Sequence, residues 1–395
     1  MRSIKQYILI FTILTTAFAC NTEEDLIPAS RDSFIKIIKG QGSETPLKIE
    51  QLSDQNLLVV SNTSIFQEAS TKEKIRVLKL NMAGNEVSDP KYFPEDINQS
   101  WRAADAIVTS DGRIIIGGTV ADTSLVFFSL NSNLQLVDTK HYKLENAISY
   151  ELKGFYFDES NNKIIFSGSE IQGSEEGEEE VGYTIYGELD SDDLSLLNVF
   201  RSEKAKELPA TKLYRDLDGR INWVYNSSSS TLLRSNTPQL SLIEELGFLE
   251  FKGATNITTK KLIGTNEEIV LFGELDISSQ TQLFYSKAYT SELIPFGDKG
   301  NHQLNNVKKI ESGYLVTGKT EILEEGANSQ SDFFISRRGL NGGEVFTETF
   351  GSDADEELHD AVMVNNKIYA IGSTIIGINN TLLLLKMDEF GRLSN

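Results

Sequence analysis

Cysteine occurs once in this chain, at position 20, and that scarcity rules out an intrachain disulfide. Histidine occurs three times, at His141, His302 and His359, with no pair at the i,i+4 or close-hairpin spacing that zinc sites favour. No glycine-rich phosphate loop follows a strand and opens a helix. Helix-period apolar stripes are almost absent, and no apolar run reaches the roughly 20 residues of a membrane span. Positive charge is also in short supply: 37 Lys and Arg against 58 Asp and Glu give a formal charge of −21 over 395 residues. That balance argues against nucleic acid or an anionic lipid surface as partner, since both need a cationic face. It favours solubility beside an anionic envelope, or a basic partner. The sequence calls for no cofactor and no metal, and thiol catalysis would have only Cys20 to use, which the next feature of the chain assigns to lipid.

What is present begins with an address. Arg2 and Lys5 open the chain, the apolar run from Tyr7 to Leu14 follows, and Ala17 and Ala19 bracket Phe18 just before Cys20. This arrangement resembles the lipobox of bacterial lipoproteins, in which the cysteine becomes the acylated first residue of the mature chain. Residues 1–19 are then a signal peptide, and the mature chain carries 35 basic against 58 acidic residues, a formal −23. Two or three acyl chains make a stable anchor where one is marginal. Asn21-Thr22-Glu23-Glu24-Asp25 comes next, and such an acidic cluster resembles the surface-export signal of Bacteroidota lipoproteins. The resemblance implies an outer-membrane lipoprotein in the cell-surface leaflet, with the periplasmic leaflet as the alternative. Residues 20–33 are expected to be an acidic tether.

From residue 34 to 395 the chain repeats itself. Apolar strands ending in Gly or Asn recur about 52 residues apart, as in Leu57–Asn62 (LLVVSN), Arg113–Gly118 (RIIIGG), Lys163–Gly168 (KIIFSG) and Lys367–Gly372 (KIYAIG). The recurring position is Asn62, Gly118, Gly168, Asn226, Gly273, Gly318 and Gly372. Gly and Asn tolerate positive φ, so the expectation is a fixed backbone bend at each strand end. Tight-turn chemistry separates neighbouring strands, as at Ser110-Asp111-Gly112, Asp218-Gly219 and Asn365-Asn366. Seven units of four strands predict an all-β, seven-bladed β-propeller. The last unit stops after its third strand, at Phe390-Gly391-Arg392-Leu393, and its missing fourth strand stands at the opposite end of the chain. Phe34–Gly40 reads like Val345–Gly351, so the N-terminal strand is expected to complete the last blade and close the ring. The whole of residues 34–393 resembles the β-propeller repeat proteins of bacterial surface lipoproteins. That family specifies a fold and carries no common enzymatic activity.

Insertions gather on the face shared by the inter-blade loops and the loops between second and third strands: 63–74, 90–100, 169–181, 201–209, 319–331 and 351–357. Such a bias marks a binding side. The acidic runs there read as solvated charge: Ser174–Glu180 is too uniform for the alternating ligand spacing of a calcium loop, and Asp353–Glu357 lacks its turn glycine. Polar residues just before or at the start of the innermost strands should ring the channel mouth: Asp105, Lys153, Lys212, Lys260, Asn306 and Asp360, a ring of mixed sign whose plainer reading is a set of structural ion pairs and hydrogen bonds closing the channel top. Trp101 and Tyr150, near inter-blade loops, either stack on a sugar ring or cap the core. Asp105 and Asp360, on blades two and seven with one blade between them, are a candidate for the two carboxylates that glycoside hydrolysis requires, a weak signal in a chain with 58 acids. The expectation is therefore a non-enzymatic binding or scaffold propeller that partners an outer-membrane protein. The alternatives are a polysaccharide-active hydrolase or lyase, and a glycan-capturing module with Trp101 exposed beside a groove.

Overall fold

The computed structural model describes residues 33–393 apart from positions 68–69, 97, 145–146, 174–180, 203–207, 227–230, 238–241, 250, 252, 265–267, 289, 291, 298–299 and 322–329. Cys20, the signal segment, the tether and the acidic run Ser174–Glu180 lie outside the described residues.

Seven antiparallel four-stranded sheets are arranged as a seven-bladed β-propeller. Blade 1 runs through β2 (Ser43–Gln51), β3 (Leu57–Gln67), β4 (Ser70–Leu80) and β5 (Lys91–Phe93). Blade 2 holds β6 (Trp101–Val108), β7 (Ile114–Val120), β8 (Ser124–Leu130) and β9 (Leu136–Tyr142), and blade 3 holds β10 (Ala147–Asp158), β11 (Lys163–Gln172), β12 (Val181–Asp190) and β13 (Leu196–Arg201). Blade 4 has β14 (Tyr214–Arg215), β15 (Ile221–Asn226), β16 (Thr231–Asn236) and β17 (Leu242–Leu249), and blade 5 has β18 (Ala254–Gly264), β19 (Ile269–Ile277), β20 (Gln280–Lys287) and β21 (Leu293–Phe296). Blade 6 comprises β22 (Asn301–Ile310), β23 (Gly313–Glu321), β24 (Ser331–Arg338) and β25 (Glu344–Phe350). Blade 7 takes β26 (Glu356–Val364), β27 (Lys367–Ile376) and β28 (Asn379–Met387) from the C-terminal end and β1 (Phe34–Ile38) from the N-terminal end. The pairing of β1 with β28, from Phe34↔Lys386 to Ile38↔Leu382, closes the ring as the repeat pattern predicts.

The turns obey their residues. Gly112, Gly219 and Gly342 take positive φ, and Asn365 and Asn366 adopt φ of 50° and 59°, the left-handed pair that a two-residue hairpin needs. Cores form between blades, because each second strand is covered on both faces and reads as a continuous apolar run. Leu58 and Val60 of β3, for example, pack with Ala106, Ile116 and Phe128 of blade 2.

Two expectations change. The recurring Gly position lies inside the second strand, not at its end, and none of the five glycines has positive φ. Each is paired opposite a β-bulge in the innermost strand, as Gly118 is paired with Ala103 beside the shift to Asp105. The bulge presses a carbonyl onto this position, so a Cβ at Gly118 would lie 1.9 Å from the Arg102 oxygen, and one at Gly318 would lie 2.0 Å from that of Gln303. Glycine is required by close approach rather than by a bend. Asn62 and Asn226 use the same place as clasps: Asn62 accepts from Ala103 N at 2.8 Å and donates to Ala103 O at 2.9 Å, in the next blade. The second change concerns the insertions. Much of 63–74 is strand, since β3 and β4 pair from Leu57↔Leu80 out to Gln67↔Ser70 as one long hairpin. Segments 169–172 and 319–321 are likewise strand. The polar residues there alternate with Ile65 and continue the period-two pattern beyond the apolar run.

Candidate functional site

The innermost strands position the site, and their bulges decide which side chains enter it. Register shifts fall between Pro46 and Lys48, Ala103 and Asp105, Leu152 and Gly154, Thr259 and Lys261, Leu304 and Asn306, and Leu358 and Asp360. At a bulge two successive residues oppose one on the partner strand, so strict alternation fails. Both residues of several pairs therefore line one cavity of about 610 Å³ in the central channel: Leu47 and Lys48, Ala104 and Asp105, Lys260 and Lys261, Asn305 and Asn306. Lys153, Lys212, Lys308, Lys309 and His359 complete its polar lining.

The predicted ring residues thus meet inside the channel, with Asp105, Lys153, Lys260 and Asn306 at mid-strand and Lys212 just before β14. Asp105, Lys153, Lys212, Lys260 and Asn306 face the cavity. Asp360 is fully buried behind it, where it accepts from Ile49 N at 2.9 Å, Asn306 Nδ2 at 2.7 Å and Ala361 N at 2.9 Å. It clasps blades 6, 7 and 1 together. Trp101 is not a site residue in this geometry. It is 6% exposed, its ring centroid 5.7 Å from that of Phe128 and 5.3 Å from that of His141 in β9, and it belongs to the core between blades 1 and 2. A large apolar ring at the first residue of an innermost strand gains more from burial against the neighbouring blade than from water. Tyr150 is buried as well, its hydroxyl donating to Leu144 O at 3.3 Å.

Asp105 is the hub of the charged lining. The ammonium groups of Lys48 and Lys212 lie 3.7 Å from its two oxygens. Lys212 belongs to blade 4 and reaches across blade 3 because Gly154 stands between them; a Cβ there would lie 3.0 Å from Asp105 Oδ2 and 3.3 Å from the Lys212 chain. Burial pushes the Asp105 carboxyl up, but Lys48, Lys212 and the Ala106 amide more than reverse this and hold it below the usual range. Burial likewise lowers Lys48, and Asp105, Asp360 and Glu50 outweigh it, so that ammonium is held on more firmly than usual. Lys308 pairs with Glu50 at 2.7 Å, Lys260 with Glu274 at 3.3 Å and Lys153 with Glu151 at 2.6 Å. Lys261 is different. Among the described residues it has no ion pair and no hydrogen bond, and burial, reinforced by Lys212 and Lys48 against Asp105 and Asp360, pushes it down to about 8.

No model of a protein family matches this sequence, and no curated protein does. Solved structures show the likeness. A protein of unknown function from Dyadobacter fermentans superposes with a TM-score of 0.49 at 8% identity, over 92% of this chain and 100% of that one. The polysaccharide lyase Uly1 gives 0.48 at 12%, over 93% and 94%, and an α-L-arabinanase of Penicillium chrysogenum, solved with arabinobiose, gives 0.43 at 13%, over 90% and 95%. At such identities the likeness is one of fold alone.

Sequence reasoning missed Lys48, Lys261, Lys308 and His359. The adjacent Lys260-Lys261 pair and the glycine that recurs on the second strand opposite a bulge were the available signals, but alternation assigns only one of two neighbours to the channel. Among the described residues no group of three or more His, Cys, Asp or Glu is placed to hold a metal ion.

Proposed function

We propose that this protein is a lipid-anchored binding propeller of the outer membrane, acylated on Cys20, that docks a membrane-protein partner on the face formed by the hairpins between second and third strands. The observation that carries this reading is the apolar tip of two neighbouring hairpins on that face. Phe66 at the end of β3 is 75% exposed and Ile378, in the turn from β27 to β28, is 96% exposed, with Ile375 and Ile376 beside it also exposed. Blades 7 and 1 are adjacent, and Ser43 Oγ accepts from Asn380 N at 3.1 Å between them. Exposed apolar tips on an otherwise highly charged chain mark a protein contact. The N-terminal end of β1 pairs with the far end of β28, at Lys386, so the chain enters the ring on the opposite face and leaves the hairpin tips open to a partner.

The channel chemistry supports binding over hydrolysis. Glycoside cleavage needs a carboxyl held high enough to donate a proton beside a second, free carboxylate. Here Lys48 of blade 1 stands between Asp360 of blade 7 and Asp105 of blade 2, Asp105 is held low, and Asp360 is committed to three donors. Glycan stacking on Trp101 has no exposed ring to use.

A mild-detergent pull-down of the tagged full chain from its native membranes, read by mass spectrometry, tests the proposal. Stoichiometric recovery of one outer-membrane protein is expected, with loss of that protein when Ile376→Ser and Ile378→Ser are combined. Recovery unchanged by the double variant, or of the bait alone, would overturn the docking face. A Cys20→Ala chain is expected to leave the membrane fraction.

A further inference from the structure

The channel inverts the charge of the molecule around it. In a chain of net −21, seven lysines among the described residues line one cavity, while the described carboxylates that face or pair with them are five: Asp105, Glu50, Glu151, Glu274 and Asp360. Two positive charges are left over. Neither Lys261 nor Lys309 has a carboxylate within ion-pairing distance among the described residues, and Lys261 is the one enclosed by other ammonium groups. An ammonium taken out of bulk water without a counter-charge costs stability, so a fold does not leave two of them over in one cavity for stability alone. Excess cation in a recessed, solvent-reachable cavity concentrates anions.

The kind of anion follows from the donors. Among the described residues no arginine lines the cavity, so the planar fork that matches a carboxylate is missing there, whereas lysines act as point charges that surround a tetrahedral oxyanion from several directions. The cavity, about 610 Å³, falls within the range of small-molecule sites, and Leu213, Ile263, Tyr156 and Tyr214 offer apolar wall for an uncharged portion. We propose that the central channel binds a small molecule bearing phosphoryl or sulfuryl groups, with Lys261 and Lys212 as its principal ligands and Lys48 and Lys260 flanking. This site is independent of the hairpin face, so a failed docking test leaves it standing. The lowered affinity of Lys261 for its proton is relieved when such an anion arrives.

Isothermal titration of the full chain in mild detergent, near neutral pH and at fixed ionic strength, decides the matter. Inorganic pyrophosphate is expected to bind saturably, one per ring, with Kd below ~1 mM. Glucose 6-phosphate and glucose 6-sulfate, run as separate arms, distinguish the two sources of the tetrahedral group. Citrate is expected to bind at least ~10-fold more weakly than pyrophosphate, and Lys261→Met to weaken pyrophosphate at least ~10-fold. Lys140→Met, which removes an equal charge from β9 outside the channel, is expected to change it less than ~2-fold. Lys212→Gln provides a second channel variant, and thermal unfolding of each variant verifies the fold. Citrate binding as tightly as pyrophosphate, equal losses in Lys140→Met and Lys261→Met, or no saturable heat from any of the tetrahedral anions overturns the proposal.

Discussion

Blade 1 and the channel both bury lysine or arginine beside acid, yet they settle the charge in opposite ways. In blade 1, Glu44 and Arg76 are each 1% exposed and meet at 3.1 Å. Glu44 accepts from Ser61 Oγ at 2.6 Å and Thr63 Oγ1 at 2.8 Å, and Arg76 donates to Lys39 O at 2.7 Å, just past the strand that closes the ring. In the channel, Lys48, Lys212 and Lys261 share Asp105, and among the described residues Lys261 is left without a partner of its own. Saturated charge locks a fold; unsaturated charge is held in reserve for something that is not protein.

The sharpest way to break the comparison is to strand the saturated partner. Arg76→Met leaves the Glu44 carboxylate buried without its cation and is expected to cost about 3–5 kcal/mol in urea unfolding. Adding Glu44→Gln should recover part of this, and a strictly additive double variant would show that the two do not act as a pair.

Asp105→Asn comes next, at about 1–3 kcal/mol, because it removes the carboxylate that Lys48 and Lys212 both approach at 3.7 Å. The folded-state pKa of Asp105 is depressed, so its stabilisation is complete above the unfolded value of about 4 and is lost as pH falls through the folded value. The gap between wild type and variant should therefore close in acid.

Lys261→Met is expected to act in the opposite direction and stabilise the ring by about 1–2 kcal/mol near neutral pH. The folded-state pKa of about 8 is below the unfolded one, so between them the unfolded chain binds more protons and wild-type stability rises with pH. The groups that act on it are Asp105 and Asp360 on one side and Lys212 and Lys48 on the other. The advantage of the variant should shrink as pH climbs from about 8 toward ~10.5, in paired chemical-denaturation curves. A gap that widens over this range would reverse the assignment.

The smallest effect belongs to Lys153→Ala. Its pair with Glu151 is largely solvated and should be worth less than ~0.5 kcal/mol.

How much of this was legible beforehand differs by feature. Blade count, the split last blade and the hairpin turns were readable, because apolar runs and Asn or Gly at turns act locally: Asn365-Asn366 adopts the left-handed pair its composition suggests. Glycine at the recurring position was recognised for a wrong reason, since close approach to a bulged neighbour looks in sequence like a need for positive φ. Trp101 shows the same limit. Its place beside a loop was correct, but only the facing Phe128 and His141 decide that it is core.

Composition and period by themselves determined an all-β ring of seven four-stranded units closed by the N-terminal strand, because strand pairing and turn formation depend on residues close in the chain or repeated along it. Only the tertiary structure decided the sign of the channel. Bulges turn both members of Lys260-Lys261 inward, Gly154 lets a lysine cross a whole blade to reach Asp105, and Asp360 withdraws behind the wall to bind backbone amides. Those outcomes depend on distances between blades far apart in sequence, where electrostatics acts and local pattern is silent.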